Sequence, residues 1–117
     1  MITYEVAHIG INCADAAEAK SLCKDFFEAF GFAKKNSGAS AFMGESIEVI
    51  DYNYMGTKGH IGVYTNDIVS AIVELENKGF KIDMETASYI DNCLVAVYLK
   101  KEFGGFAVHL LQKSEQK

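Results

Sequence analysis

The chain has 117 residues, half of them hydrophobic, which is enough for one compact domain with its own core. Its formal net charge is −5 and its eleven basic residues are all lysine. This composition excludes the basic surface of a nucleic-acid-binding protein and the two-pronged arginine clamp that holds carboxylates or phosphates.

The sequence also predicts where the protein resides. No apolar run approaches the roughly 20 residues that a membrane-spanning helix needs, and the first residues lack the pattern of a secretory leader. The three cysteines form no CxxC pair, and their odd number does not suit a disulfide framework. We therefore expect a cytoplasmic protein that uses neither nucleic acid nor membrane as a partner.

In chain order, the first half predicts one strand, one helix and three short strands. The first strand spans about 4–12, and the helix, about 15–30, carries apolar residues three and four apart along one side. Asp15 is a suitable N-cap, and Gly31 suits the position just after the helix. Three strands follow at about 32–35, 40–43 and 46–51.

The second half repeats this order after a joint at about 52–59. A strand at 60–65 precedes a helix at 67–78, which Gly79 ends; strands follow at about 80–84, 94–100 and 106–111, with a longer loop around 86–93. His8-Ile9-Gly10-Ile11 recurs as His60-Ile61-Gly62-Val63. This imperfect repeat predicts an α+β fold with two βαβββ modules, about 4–52 and 60–112, in a single domain spanning 1–117.

Four polar side chains interrupt short apolar strands: His8, Glu48, His60 and His109. Side chains alternate between the two faces of a strand, which places each of the four on the face opposite its module's helix. Burial without a partner would cost several kcal/mol at each place, whereas one shared cation would satisfy all four. Imidazole and carboxylate ligands suit Zn, Ni, Co, Fe or Mn. For each histidine alone, a hydrogen-bonded core imidazole remains the alternative.

Alternation also places Tyr64 and Tyr98 on the cavity side, where their hydroxyls can contact a substrate, as can the side chain of Asn12. The alternative for the two tyrosines is an aromatic core position with the hydroxyl satisfied at the rim.

The order His8, Glu48, His60, His109, each on the first or last strand of a βαβββ half, resembles the vicinal oxygen chelate superfamily. This superfamily includes glyoxalase I, extradiol dioxygenases, methylmalonyl-CoA epimerase and the bleomycin resistance proteins. The resemblance implies sheets curled around a shared cavity with helices outside, one divalent metal ion per site, and frequent homodimers whose ligands sometimes come from both chains. Glutamate is usual at the position of His109, so this chain departs from the glyoxalase I pattern there.

The resemblance implies a lyase or isomerase that binds vicinal oxygens of a small metabolite at the metal, with Glu48 or His109 moving a proton. Two alternatives stay open: a binding or resistance-type module without turnover, and an Fe(II) extradiol-type dioxygenase. Residues 98–106 also resemble small family members associated with keto-deoxy-phosphogluconate/keto-hydroxyglutarate aldolases, which implies an accessory role in sugar-acid metabolism.

Overall fold

The computed structural model describes residues 1–37 and 40–114. Its elements follow the predicted order of two βαβββ modules, and the predicted α+β fold class is confirmed. The first module contains β1 (Tyr4–Asn12), α1 (Ala16–Phe30), β2 (Lys34–Ser37), β3 (Ser40–Met43) and β4 (Ile47–Ile50). The second contains β5 (Gly59–Thr65), α2 (Ile68–Asn77), β6 (Ile82–Ile90), β7 (Cys93–Leu99) and β8 (Phe106–Gln112).

The strands of both modules join into one eight-stranded sheet with the order β2-β3-β4-β1-β5-β8-β7-β6. The first strands of the modules, β1 and β5, pair antiparallel at its centre. On either side, β1 pairs in parallel with β4, and β5 pairs in parallel with β8. The two halves of the sheet are therefore related by an approximate twofold axis between β1 and β5.

Each helix packs on the strands of its own module, α1 on β3 and β4 and α2 on β6, β7 and β8. The Asp15 carboxylate accepts a hydrogen bond from the backbone N–H of Glu18 at 2.8 Å, and the Glu18 side chain accepts one from the N–H of Ala14 at 3.0 Å. Asp67 caps α2 in the same way by accepting from the N–H of Ser70. These caps satisfy amide groups that have no partner within the helix.

Two apolar clusters lie between the helices and the sheet. Around α1, Met43 and Val49 are 2% exposed; around α2, Ala71 and Val97 are fully buried and Leu110 is 1% exposed. The strand residues of these clusters alternate with residues of the opposite face. The two helices therefore cover one side of the sheet and leave the other side for polar groups.

The prediction of a loop at about 86–93 is wrong for most of these residues. Strand β6 continues to Ile90, and β7 begins at Cys93, so a two-residue hairpin connects them. Asp91 and Asn92 have φ values of 50° and 64°, as a turn of this type requires at both of its central positions. Thr86 explains the missed strand. Its hydroxyl accepts from the N–H of Tyr98 and donates to the carbonyl of Asp83, which bridges an irregular part of the pairing.

The left-handed backbone at Asn92 leads to a first prediction. Asn92→Val is expected to destabilise the protein by about 1–2 kcal/mol, because a Cβ-branched residue is disfavoured at positive φ. Asn92→Gly is the matched control and is expected to leave stability within about 0.5 kcal/mol of the wild type. Urea unfolding measures both variants. Equal stability of the valine and glycine variants would contradict the assigned turn.

Candidate metal centre

The central strand pair brings two imidazoles together across the approximate twofold axis. His8 lies opposite Gly62, and His60 lies opposite Gly10. A Cβ on Gly10 would lie 2.2 Å from Cε1 of His60, and one on Gly62 would lie 2.5 Å from Cε1 of His8. Each imidazole thus lies over the glycine of the other module. Neither glycine has a positive φ. Glycine is therefore needed at both positions because the ring occupies the space of a side chain, and not because of the backbone conformation.

The outer neighbours of these strands contribute Glu48 and His109 at equivalent register positions. Glu48 of β4 pairs with Gly10 of β1, and His109 of β8 pairs with Gly62 of β5. All four predicted ligands therefore lie in two adjacent rows on the face of the sheet opposite the helices.

Three of the four place their donor atoms close together. Nε2 of His8 lies 3.0 Å from Nε2 of His60, Oε1 of Glu48 lies 3.2 Å from Nε2 of His60, and Oε1 of Glu48 lies 3.8 Å from Nε2 of His8. His60 is 3% exposed, and the side chains of His8 and Glu48 are 18% and 16% exposed. We call His8, Glu48 and His60 the donor triad.

The donor triad fits a first-row divalent cation. With bonds of about 2.0–2.2 Å, two ligands at a right angle on one cation are about 3.0 Å apart, and at a tetrahedral angle about 3.4 Å. The observed separations of 3.0, 3.2 and 3.8 Å agree with three ligands on one side of such an ion. Two imidazoles with one carboxylate are also the ligand types that Zn, Ni, Co, Fe and Mn accept.

On the side of its second ring nitrogen, the most buried ligand is held by packing rather than by a hydrogen bond. Nδ1 of His60 is buried and has no hydrogen-bond partner among the described residues. Ligating histidines usually donate from this second nitrogen to an acceptor, which fixes the ring. Here the surface over Gly10 and the edge of Tyr54, whose ring centroid lies 5.8 Å from that of His60, confine the ring instead.

His109 lies beside the donor triad rather than within it. Its imidazole stacks on the ring of Tyr98 with centroids 4.1 Å apart and planes 2° from parallel, and its centroid is 6.3 Å from that of His60. Within residues 1–37 and 40–114, the group whose donor atoms all lie within 4.8 Å of one another consists of His8, Glu48 and His60.

Burial favours the neutral imidazole at both partly buried histidines. It lowers the pKa of His109 to about 4, assisted by the nearby imidazoles of His60 and His8. The pKa of His8 is likewise lowered, first by burial and then by His60, although Glu48 acts in the opposite direction. A neutral imidazole has the free nitrogen lone pair that both metal ligation and proton uptake require.

Aromatic residues border the site. Tyr98 is 6% exposed, and burial followed by its interaction with Tyr54 raises the pKa of its hydroxyl. Phe42 meets His8 edge-on with centroids 5.9 Å apart. The sequence interpretation missed Tyr54 and Phe42. Phe42 pairs directly with Glu48 across β3 and β4, a register that strand alternation alone cannot supply, and Tyr54 lies in the joint, which has no periodicity.

The other two predicted substrate residues occupy different surroundings. Nδ2 of Asn12 donates to the carbonyl of Gly56 at 3.1 Å and to that of Met55 at 3.4 Å, which ties the joint to the end of β1. Its Oδ1 is buried without a hydrogen-bond partner in the described part of the chain. Tyr64 is 37% exposed and lies two residues beyond Gly62 on β5.

Comparison with known proteins identifies the fold. No protein-family model and no curated protein match the sequence. A hypothetical protein from Bacillus halodurans has a similar structure, with a TM-score of 0.64 and 16% identity over 98% of both chains. Methylmalonyl-CoA epimerase from Streptomyces coelicolor, in complex with 2-nitronate-propionyl-CoA, matches with a TM-score of 0.62 and 15% identity, covering 97% of this chain and 96% of that one.

The epimerase from Mycobacterium tuberculosis matches with a TM-score of 0.57 and 15% identity, covering 94% of this chain and 88% of its own. The chain has the glyoxalase-like fold. The fold implied by the sequence resemblance is therefore confirmed. The implied association with sugar-acid aldolases stays a prediction. Neither described helix is long and apolar enough to span a membrane.

Proposed function

We propose that this protein is a divalent-metal-dependent isomerase or lyase that acts on a small metabolite with oxygens on neighbouring atoms. The observation that carries the proposal is the donor triad, in which His8, Glu48 and His60 place three donor atoms 3.0–3.8 Å apart. The structural similarity to methylmalonyl-CoA epimerases supports isomerase chemistry.

In this proposal the donor triad holds one cation of the Zn, Ni, Co, Fe or Mn type. Such a cation would act as a Lewis acid, which polarises a carbonyl and increases the acidity of a hydrogen on the adjacent carbon. His109 is the candidate proton acceptor, because its imidazole lies beside the donor triad and is held flat against Tyr98. Glu48 is the second candidate for that role, and ligation by His109 as a fourth donor is the alternative to its role as a base.

The surrounding residues would orient the substrate. Oδ1 of Asn12 and the hydroxyls of Tyr64 and Tyr98 are the proposed polar contacts. The rings of Tyr54 and Phe42 border His60 and His8 and would limit how a substrate approaches them. With no arginine in the chain, recognition of an anionic group would depend on lysine or on backbone amides. An acyl-CoA thioester is one candidate substrate, because the structurally similar epimerase was solved with a propionyl-CoA analogue.

Solvent deuterium exchange tests the proposed chemistry and does not require the natural substrate to be identified first. Metal-loaded protein in D2O is incubated with methylmalonyl-CoA and with a panel of α-hydroxycarbonyl compounds, and mass spectrometry follows label at the carbon beside the carbonyl. We expect exchange with at least one member, and a loss of about 100-fold or more in Glu48→Gln. Glu45→Gln, which changes a carboxylate that is 87% exposed, is the matched control and keeps full activity.

The same experiment separates the alternatives. Saturable binding of one of these compounds without deuterium exchange would favour a binding or resistance-type module over an enzyme. Two imidazoles and one carboxylate are also the ligand set of non-haem Fe(II) oxygenases, and this observation favours an extradiol-type dioxygenase as the second candidate. Oxygen consumption by the Fe(II)-loaded protein with a catechol would support it.

The proposal extends to assembly and location. We propose a cytoplasmic homodimer, supported by the exposed aromatic surface of α1, where Phe27 and Phe30 are 59% and 67% exposed. Sedimentation equilibrium distinguishes a dimer from a monomer. An accessory role beside a sugar-acid aldolase is the further alternative, and co-purification with such an aldolase would test it.

A further inference from the structure

A cavity lies on the helix side of the sheet, in the second module. It has a volume of about 280 Å³ and is bordered mainly by apolar side chains of α2, β5, β8 and the segments that follow α2 and β7. The residues that the argument uses are Val63, Leu75, Phe80, Phe103, Val108 and Leu110. Lys78 and Tyr4 also contribute to its lining.

The two modules differ in the aromatic residues near the ends of their helices. Each helix is followed by a glycine and a phenylalanine, Gly31-Phe32 in the first module and Gly79-Phe80 in the second. In the first module, Phe26 stacks on Phe32 with centroids 6.1 Å apart, and Phe30 lies 5.5 Å from Phe32.

Counted back from the glycines, the residues equivalent to Phe26 and Phe30 are Glu74 and Lys78. The second module therefore lacks the two phenyl rings that pack against the phenylalanine after the first helix. The remaining rings, Phe80 and Phe103, lie 5.7 Å apart at an interplanar angle of 41°. Both of these rings border the cavity.

The polar groups at the mouth of the cavity already have partners. The hydroxyl of Tyr4 donates to Oε2 of Glu74 at 2.7 Å, and Nζ of Lys78 lies 3.6 Å from Oε1 of the same carboxylate. A charged ligand would have to displace one of these pairs, whereas an uncharged ring would contact apolar surface on most sides. The paired polar groups favour an uncharged occupant, and the rings of Phe80 and Phe103 in the lining favour an aromatic one.

We propose that this cavity is a binding site for an uncharged aromatic molecule of one or two rings, separate from the metal centre. Val63, Val108 and Leu110 alternate along their strands with Gly62 and His109. The cavity and the donor triad therefore lie on opposite faces of the sheet, and both can be occupied at once.

Methyl-selective NMR with 2-naphthol as the probe tests the site. We expect saturable shifts at the methyl groups of Val63, Leu75, Val108 and Leu110, with a Kd of about 0.1–1 mM. The equally apolar methyl groups of Val49 and Ile47, in the first module, are expected to stay unchanged. The absence of saturable shifts up to the solubility limit, or shifts confined to residues around the donor triad, would overturn the proposal.

Two substitutions sharpen the experiment. Lys78 lines the cavity, so Lys78→Phe adds a ring at its border, and we expect this variant to weaken binding of 2-naphthol at least about tenfold. Lys24→Phe makes the same change on α1, at a lysine that is also paired with a glutamate one turn away, and should leave binding unchanged. Equal binding by the wild type and Lys78→Phe would contradict the site. The methyl shifts of the wild type test it independently if Lys78→Phe proves unstable.

Discussion

Gly10→Ala is expected to displace the imidazole of His60 from the donor triad and to reduce metal binding to background. The new methyl group would lie 2.2 Å from Cε1, 2.5 Å from Nδ1 and 2.9 Å from Nε2 of that ring. His60 is 3% exposed, so the ring has little room to move. Overpacking of this kind costs about 1–3 kcal/mol of folding free energy, and thermal or urea unfolding measures it.

A double variant tests whether the collision with His60 causes the loss of stability. In Gly10→Ala/His60→Ala the colliding ring is absent, so the alanine at position 10 should cost much less than it does in the presence of His60. Gly62→Ala and His8→Ala form the equivalent double-mutant cycle for the other glycine. There, the nearest ring atom, Cε1 of His8, would lie 2.5 Å from the new methyl group. Additive changes in unfolding free energy in both cycles would show that glycine is required for backbone conformation rather than for the space that the imidazoles occupy.

His109→Gln is expected to separate metal binding from catalysis. The donor atoms of the triad converge without His109, whose ring lies against Tyr98. The variant should retain about one metal equivalent with an affinity reduced by less than about tenfold, while deuterium exchange into substrate falls by about 10²–10⁴-fold. Metal titration and the exchange assay, carried out on the same preparation, measure the two effects.

Tyr98→Phe is the companion variant for this experiment. It preserves the ring that stacks on His109 and removes only the hydroxyl, so metal stoichiometry and the position of the imidazole should both be retained. Loss of metal in His109→Gln, with metal retained in Tyr98→Phe, would establish His109 as a fourth ligand instead of a proton carrier.

The sequence predicts the architecture well because its signals are local. The helix at α1, the cap at Asp15 and the glycine after each helix depend on neighbouring residues, and each is present in the structure. The apolar side of α1 is only partly buried, because Phe27 and Phe30 at its end are 59% and 67% exposed. The prediction fails at 86–93 for a different reason. There the strand is held by the hydroxyl of Thr86 and a turn with two positive φ values, features that hydrophobic periodicity does not encode.

The sequence predicts only part of the candidate site. Alternation predicts that His8, Glu48, His60 and His109 share one face, and the register places them there. The convergence of three donors and the stacking of the fourth on Tyr98 depend on pairing between distant strands and on ring rotation. The role of the glycines in the repeated His-Ile-Gly segments emerges only when β1 is paired with β5.

Metal titration of the wild type, His8→Ala and His60→Ala tests the central claim, that the donor triad holds one divalent cation. Isothermal titration with Zn²⁺, Ni²⁺ and Co²⁺ is carried out on metal-free protein that lacks an affinity tag. We predict about one tightly bound equivalent in the wild type and an affinity lower by more than about 100-fold in each variant, equivalent to at least about 2.8 kcal/mol of binding free energy. Full stoichiometry with unchanged affinity in both variants would contradict the assignment.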